Sequence, residues 1–207
     1  MIVWSTTGNN ERWTKIERRV MHPLVTDHIL FSPNHTPKNL CNDIIKFYKK
    51  NAKWSESKFA THEDISSKSK SRVKMDEYWI SQGNEYYNEL NAEFTRAVRS
   101  YCEKFPKVVP ERLTPFRLNH YPQDGFMSKH IDNIHHSHGQ KYGFPHITSL
   151  IFLNDDYEGG QFELCDGEFI PNVTQGSVVI FPSNFMYAHE VKRVMKGNRY
   201  SVMTWII

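Results

Sequence analysis

From residue 112 onward the chain is a series of short apolar or alternating segments, cut at close intervals by turn formers, and this narrows its possible folds more than any other feature. The segments are "FRLNHY", "MSKHID", "HITSLIFLN", "GGQFEL", "GSVVIFPS", "HEVKRV" and "NRYSVMTWII"; the breaks are "PQDG", "DDYEGG", "CDGE", "TQG" and "KGN". No helical period of useful length survives in this half. Strands this short and this closely spaced predict an antiparallel sandwich or jelly roll. Gly159 and Gly160 read as turn formers within it.

The first half follows a different period. "HTPKNLCNDIIKFYKKN" opens with Thr36 as an N-cap and Pro37 at the first helical position, and places Leu40, Ile44, Phe47 and Tyr48 on one face. "NEYYNELNAEFTRAVRSYCEKFP" sets Tyr87, Leu90, Phe94, Ala97, Val98 and Tyr101 at three-and-four spacing before Pro106 ends the run. Two amphipathic helices follow. Between them, "SSKSKSRVKMDEYW" is polar, basic and without period, which predicts a solvated loop or a flap that touches a substrate. The expected fold class is therefore mainly β with supporting helices (α+β). Residues 1–111 form a mostly helical support, packed on one sheet of a β core over 112–207, in a single domain over 1–207.

A chain of 207 residues is long enough for one buried core with an accessory layer. Its 26 Lys and Arg against 23 Asp and Glu are spread along the sequence, so a dedicated nucleic-acid binder is not expected. Cys41, Cys102 and Cys165 are far apart, odd in number and outside CxxC spacing; reduced thiols in the cytoplasm are the expectation. The longest apolar runs, such as "SVVIF", are strand-sized, and neither a leader nor a membrane span is predicted.

Chemistry concentrates in "SKHIDNIHHSHGQ", with His130, His135, His136, His138 and Asp132. Residues two apart on a strand point the same way, so "MSKHID" projects His130 and Asp132 toward one point. His135, His136 and His138 fall in a stretch that reads as loop, where nothing fixes their rings. A third ligand from another strand is offered by His189 in "MYAHEVKRV". Two imidazoles and one carboxylate on one side of an ion leave positions open for small molecules, an arrangement used by non-haem Fe(II) oxygenases.

The last segment adds a second constraint. In "GNRYSVMTWII", Arg199, Ser201, Met203 and Trp205 share one strand face, opposite Tyr200, Val202, Thr204 and Ile206. If the second set meets the helices, the first lines the interior and carries an arginine inside. A buried guanidinium is costly without an anionic partner, and this strand supplies none. Its planar fork suits a carboxylate, and the Ser201 hydroxyl can donate to the same group.

"HYPQDGFMSKHID", "ITSLIFLNDDYEGGQFEL" and "GSVVIFPSNFMYAHEVKRVMKGNRYSVMTWI" together resemble the Fe(II)/2-oxoglutarate-dependent dioxygenases, specifically their prolyl 4-hydroxylase-like branch, over about residues 112–207. The resemblance implies a double-stranded β-helix with iron held by His130, Asp132 and His189. It further implies 2-oxoglutarate anchored by Arg199 with Ser201, and Tyr121 lining the cosubstrate pocket near Trp205. Phe152 stands where many relatives have a tyrosine, so one cosubstrate hydrogen bond is expected either to be lost or to come from Thr148 or Tyr121. Arg193 stands where proline often follows the His-Glu-Val run. The implied cofactors are Fe(II), 2-oxoglutarate and O2, with ascorbate alongside.

The implied partner is a peptide or protein substrate, with proline as the residue hydroxylated, or else a free amino acid or other small molecule. A monomer is expected. Two other readings stay open from the residues alone. Two histidines and a carboxylate also suit a zinc hydrolase, and a silent barrel could bind metal without turnover.

Overall fold

The structure, a computed structural model, describes residues 24–58, 72–132 and 144–207. In chain order its strands begin with β1 (Leu30–Ser32), β2 (Ser55–Glu56), β3 (Val73–Lys74) and β4 (Asp76–Ile80). There follow β5 (Phe116–Tyr121), β6 (Phe126–His130), β7 (Ile147–Phe152), β8 (Glu158–Gly159) and β9 (Phe162–Leu164). The last are β10 (Val178–Pro182), β11 (His189–Val191), β12 (Val194–Lys196) and β13 (Arg199–Ile206). Helix α1 covers Lys38–Asn51 and α2 covers Tyr87–Lys104.

Two antiparallel sheets do most of the work. The major one has the order β1-β10-β7-β13-β5-β4-β2 and the minor one β3-β6-β11-β9, with β12 and β8 paired separately. Their placement follows from the side-chain alternation. On β13, Tyr200, Val202 and Ile206 join Ile44, Tyr48, Leu90, Phe94, Ala97 and Tyr101 of the helices in one apolar cluster. Met203 and Trp205, pointing the other way, join a second cluster that fills the space between the sheets with Phe152, Phe162, Phe181 and Val191. The helices thus cover one face of the major sheet and the minor sheet covers the other, which is the jelly-roll arrangement with helices outside.

The first half is less purely helical than its periodicity suggests. It supplies β1 to one edge of the major sheet, β4 and β2 to the other, and β3 to the minor sheet. The described part of the stretch expected as a solvated loop or a substrate-touching flap, 72–79, is largely strand: β4 pairs with β5 from Asp76↔His120 to Ile80↔Phe116. Backbone pairing to β5 overrides its polar composition, as tertiary context commonly does in strands. The more basic part, 66–71, lies outside the described residues. Helix α1 begins one residue later than expected, with Pro37 in the cap position, and Thr36 gives its backbone N–H to the Gly176 carbonyl instead of capping with its side chain. All three cysteines are unpaired. Among the described residues no helix is long and apolar enough to cross a membrane.

Candidate active site

His130 ends β6 and His189 begins β11, and they are register partners across an antiparallel pair. Their side chains therefore leave one face side by side, with ring centroids 4.2 Å apart. Asp132 lies past the end of β6, in a bend, so strand alternation does not aim its carboxylate as the sequence pattern suggested. Thr148 of the facing sheet does so. Its hydroxyl donates to Asp132 Oδ2 at 2.6 Å and is bonded to Ser183 Oγ at 2.9 Å. With the one Thr148 proton committed to the carboxylate, Ser183 is the donor of that second bond.

His130 Nε2 is 3.6 Å from Asp132 Oδ1, and His189 Nε2 is 3.7 Å from Oδ2. Such distances are too long for direct hydrogen bonds. They are the spacing of donors around a common centre: one ligand atom from each residue lies within 4.8 Å of the others, and the three groups could hold a metal ion. Each ring is aimed by its other nitrogen. His130 Nδ1 faces the Ser128 carbonyl at 2.9 Å and His189 Nδ1 faces that of Tyr187 at 3.1 Å. A carbonyl only accepts, so each Nδ1 carries the proton and each Nε2 turns a lone pair inward.

Electrostatics favour the same state. Burial, with His189 beside it, pushes His130 down to about 3. Burial by itself would raise the Asp132 carboxyl, but His189, His130, the Thr148 hydrogen bond and Arg117 together hold it below the usual value. Near neutral pH the centre therefore offers His130 as neutral imidazole and Asp132 as carboxylate, the forms in which each binds metal. A set of nitrogen and carboxylate oxygen without sulfur suits a divalent first-row ion, iron included.

Arg199 is fully buried, although long charged side chains rarely are. Nη1 donates to Ser201 Oγ at 3.2 Å, while Nε and Nη2 have no acceptor among the described residues. Its guanidinium lies 4.9 Å from the ring centroid of Tyr121, its register partner on β5, and 5.3 Å from that of Phe152. From Phe152 the ring contacts run to Phe162 and on to His189. Arg199 and the His-Asp-His centre thus share the space between the sheets. Gly160, with φ +62°, lets the chain pass against the guanidinium's stem, for a Cβ there would stand 3.1 Å from Arg199 Cδ. Gly159 and Gly160, expected as turn formers, lie in and directly after β8, where Gly160 is a packing residue. The two orphaned donors of a buried cation fit the distal carboxylate of a keto diacid.

The other expected residues divide. Tyr121 and Trp205 both line the inter-sheet space. Thr148, expected as a cosubstrate donor, gives its single proton to Asp132 in this structure. His135, His136 and His138 lie outside the described residues. Sequence reasoning missed Ser183, whose only signal is its place after β10 in "VVIFPS", and Arg117, whose charge helps to hold the Asp132 carboxyl down.

Residues 116–207 match the model of the 2OG-Fe(II) oxygenase superfamily. A PKHD-type hydroxylase of Rippkaea orientalis is 31% identical over 103 residues, 48% of this chain and 45% of the relative. One from Thermosynechococcus vestitus is 29% identical over 139 residues, 65% of this chain and 60% of the relative, so the chain spans about half the length of these curated relatives. Among solved structures, a Pseudomonas putida prolyl-4-hydroxylase superposes with a TM-score of 0.67 at 16% identity, covering 88% of this chain and 96% of that one. A Trichoplax adhaerens prolyl hydroxylase, in complex with a peptide fragment of the hypoxia inducible factor oxygen degradation domain, gives 0.67 at 19%, covering 88% and 84%. These likenesses show the shared fold, and with the His-Asp-His centre the family match makes residues 116–207 similar to the 2OG-Fe(II) oxygenase superfamily.

Proposed function

We propose that this chain is an Fe(II)- and 2-oxoglutarate-dependent hydroxylase acting on a prolyl residue of a peptide or protein. The observation that carries the reading is Arg199, a fully buried cation with two unanswered N–H groups in the same inter-sheet space as three convergent metal ligands. A hydrolase built on the same ligands has no need of that anchor. His130, Asp132 and His189 would hold the iron, and Arg199 with Ser201 would grip the distal carboxylate of 2-oxoglutarate. Tyr121 and Phe152 would wall the anchor from water, strengthening its attraction for that carboxylate. Thr148, held by Ser183, would keep Asp132 ionised and aimed. Iron with 2-oxoglutarate and O2 supplies the oxidising power to hydroxylate an unactivated carbon, releasing succinate and CO2.

The prolyl acceptor is supported by the neighbours named as prolyl hydroxylases, one of them with a peptide bound. A free amino acid is the alternative acceptor. On this reading residues 1–207 work as one catalytic unit, the helices stiffening the sheet that carries Arg199; ascorbate as an accessory and a monomer in the cytoplasm belong to the same proposal.

Anaerobic addition of Fe(II) and 2-oxoglutarate tests the core of the reading. A weak visible charge-transfer band is expected, and His130→Ala and Arg199→Ala should each abolish it. A wild-type protein that gives no band, or binds only zinc and hydrolyses, overturns the proposal. Succinate release on adding proline-containing peptides or free proline then separates the acceptors.

A further inference from the structure

The inner face of the major sheet carries a second guanidinium, remote from the cosubstrate anchor. Arg199 pairs in register with Tyr121 and Met203 with Arg117, so Arg117 lies four residues along the same face of the sheet. At about 3.4 Å per residue that is roughly 14 Å from the anchor, a separation at which one small diacid does not bridge both. Arg117 instead neighbours Trp205, whose ring centroid is 5.7 Å from its guanidinium carbon. Trp205 is the register partner of Thr148, the residue that holds Asp132. Arg117 therefore stands between the level of Arg199 and that of Thr148, two residues short of the latter.

The charge of Arg117 is already answered. Glu77 on β4 approaches it with Oε2 at 4.0 Å from Nη1, and both side chains are close to nine-tenths buried. Glu77 also receives the Trp79 indole N–H at 3.3 Å. What the pair leaves over is neutral and directional. Arg117 Nε and Trp205 Nε1 are buried donors with no acceptor among the described residues. Glu77 Oε2, at 4.0 Å, is beyond hydrogen-bond distance of Arg117 Nη1 and can accept from a closer donor. A free carboxylate brought to Arg117 would meet the repulsion of Glu77, and a free ammonium brought to Glu77 would meet that of Arg117. A peptide group meets neither. Its carbonyl can take the orphaned N–H groups and its N–H can go to Glu77, removing the cost of buried donors without partners.

We infer that Arg117 and Glu77, with the Trp205 indole, form a subsite that grips a backbone amide beside the residue being hydroxylated, so that the acceptor lies inside a peptide chain and is not a free amino acid. This rests on the hydroxylase reading above and chooses between its two acceptors. Arg117 and Glu77 are substrate-positioning residues.

The test uses two pools: N-acetylated, C-amidated Gly-X-Gly peptides with every residue at X, and the free amino acids. Binding to the metal-free protein is followed by tryptophan fluorescence, and turnover by succinate release from the iron-loaded protein. The blocked peptides should bind and be turned over, the free amino acids neither. Arg117→Met and Glu77→Gln should each raise the peptide Kd and KM by about tenfold or more, the effect of one lost hydrogen bond to a charged group. The anaerobic charge-transfer band should persist in both variants, showing a folded, loaded site. Turnover of free amino acids in preference to peptides overturns the inference, as does a peptide pool that neither binds nor reacts, or variants with peptide Kd within twofold of wild type. If the wild-type band itself fails to form, the hydroxylase reading falls; if it forms and the peptide results fail, only the subsite falls.

Discussion

The two faces of the major sheet are made by the same strands, and the buried charges lie on one of them. Toward the helices, Leu118, Ile151, Val202 and Ile206 pack on Ile44, Leu90, Phe94 and Tyr101 in a closed apolar layer. Toward the minor sheet, the alternate positions of the same strands carry Arg117, Asn119, Arg199, Ser201 and Trp205, and several of their polar atoms lack partners among the described residues. An orphaned buried polar group costs about 1–3 kcal/mol. The inner face therefore stores a deficit that a ligand can relieve, while the outer face supplies the stability that keeps the deficit in place. The lesson is that alternation along one strand separates folding from function at single-residue resolution.

That division can be broken by substitutions on either face. The largest effect expected is on the outer side, where Phe94→Ala should cost about 3–5 kcal/mol of stability in denaturant unfolding. The folded fraction should keep its 2-oxoglutarate affinity within about twofold; a large loss of affinity would show the faces to be coupled. Next, Arg199→Met should weaken 2-oxoglutarate binding by about 2–4 kcal/mol, roughly 30- to 1,000-fold in Kd by calorimetry. Its unfolding midpoint should hold or rise, since replacing an unanswered buried charge with an apolar chain is often stabilising.

A finer probe is Thr148→Val, which keeps the shape and removes the donor that holds Asp132. Fe(II) affinity should fall about 10- to 100-fold, as for other groups that orient a ligand. The smallest effect is that of pH on the metal-free protein. Unfolded His130 gains a proton below its ordinary value of 6.5, whereas folded His130 resists until about 3. The unfolded state thus binds more protons in that window, and stability falls as pH drops through it, by at most about 1.4 kcal/mol per pH unit. Asp132, also lowered, adds acid sensitivity of the same sign. His130→Gln should flatten the slope above pH 4.

Much of this was legible in the sequence because alternation is a local property. The inward set Arg199, Ser201, Met203 and Trp205 could be read from β13 alone, and so could the buried stripe of α2, Leu90, Phe94, Ala97 and Tyr101. What needed the register of distant strands could not be read. Glu77 meets Arg117 only because β4 pairs with β5, and Thr148 reaches Asp132 only because the two sheets face each other. The strands at 73–80 were hidden for a related reason: Val73–Lys74 and Asp76–Ile80 are short and partly polar, and their strand state comes from backbone bonds to β6 and β5.

One feature of the topology bears on how the molecule is made. The centre of the major sheet is β13, which joins β7 and β5, although it is the last of these strands to be synthesised. Until residue 206 clears the ribosome, the nascent sheet is split, with the inner edges of β5 and β7 open to pairing with strangers. Closure then has to draw together segments some fifty to eighty positions apart, a slow kind of assembly. Chaperone capture during synthesis, and aggregation of chains that stop short of β13, are what such a late keystone entails.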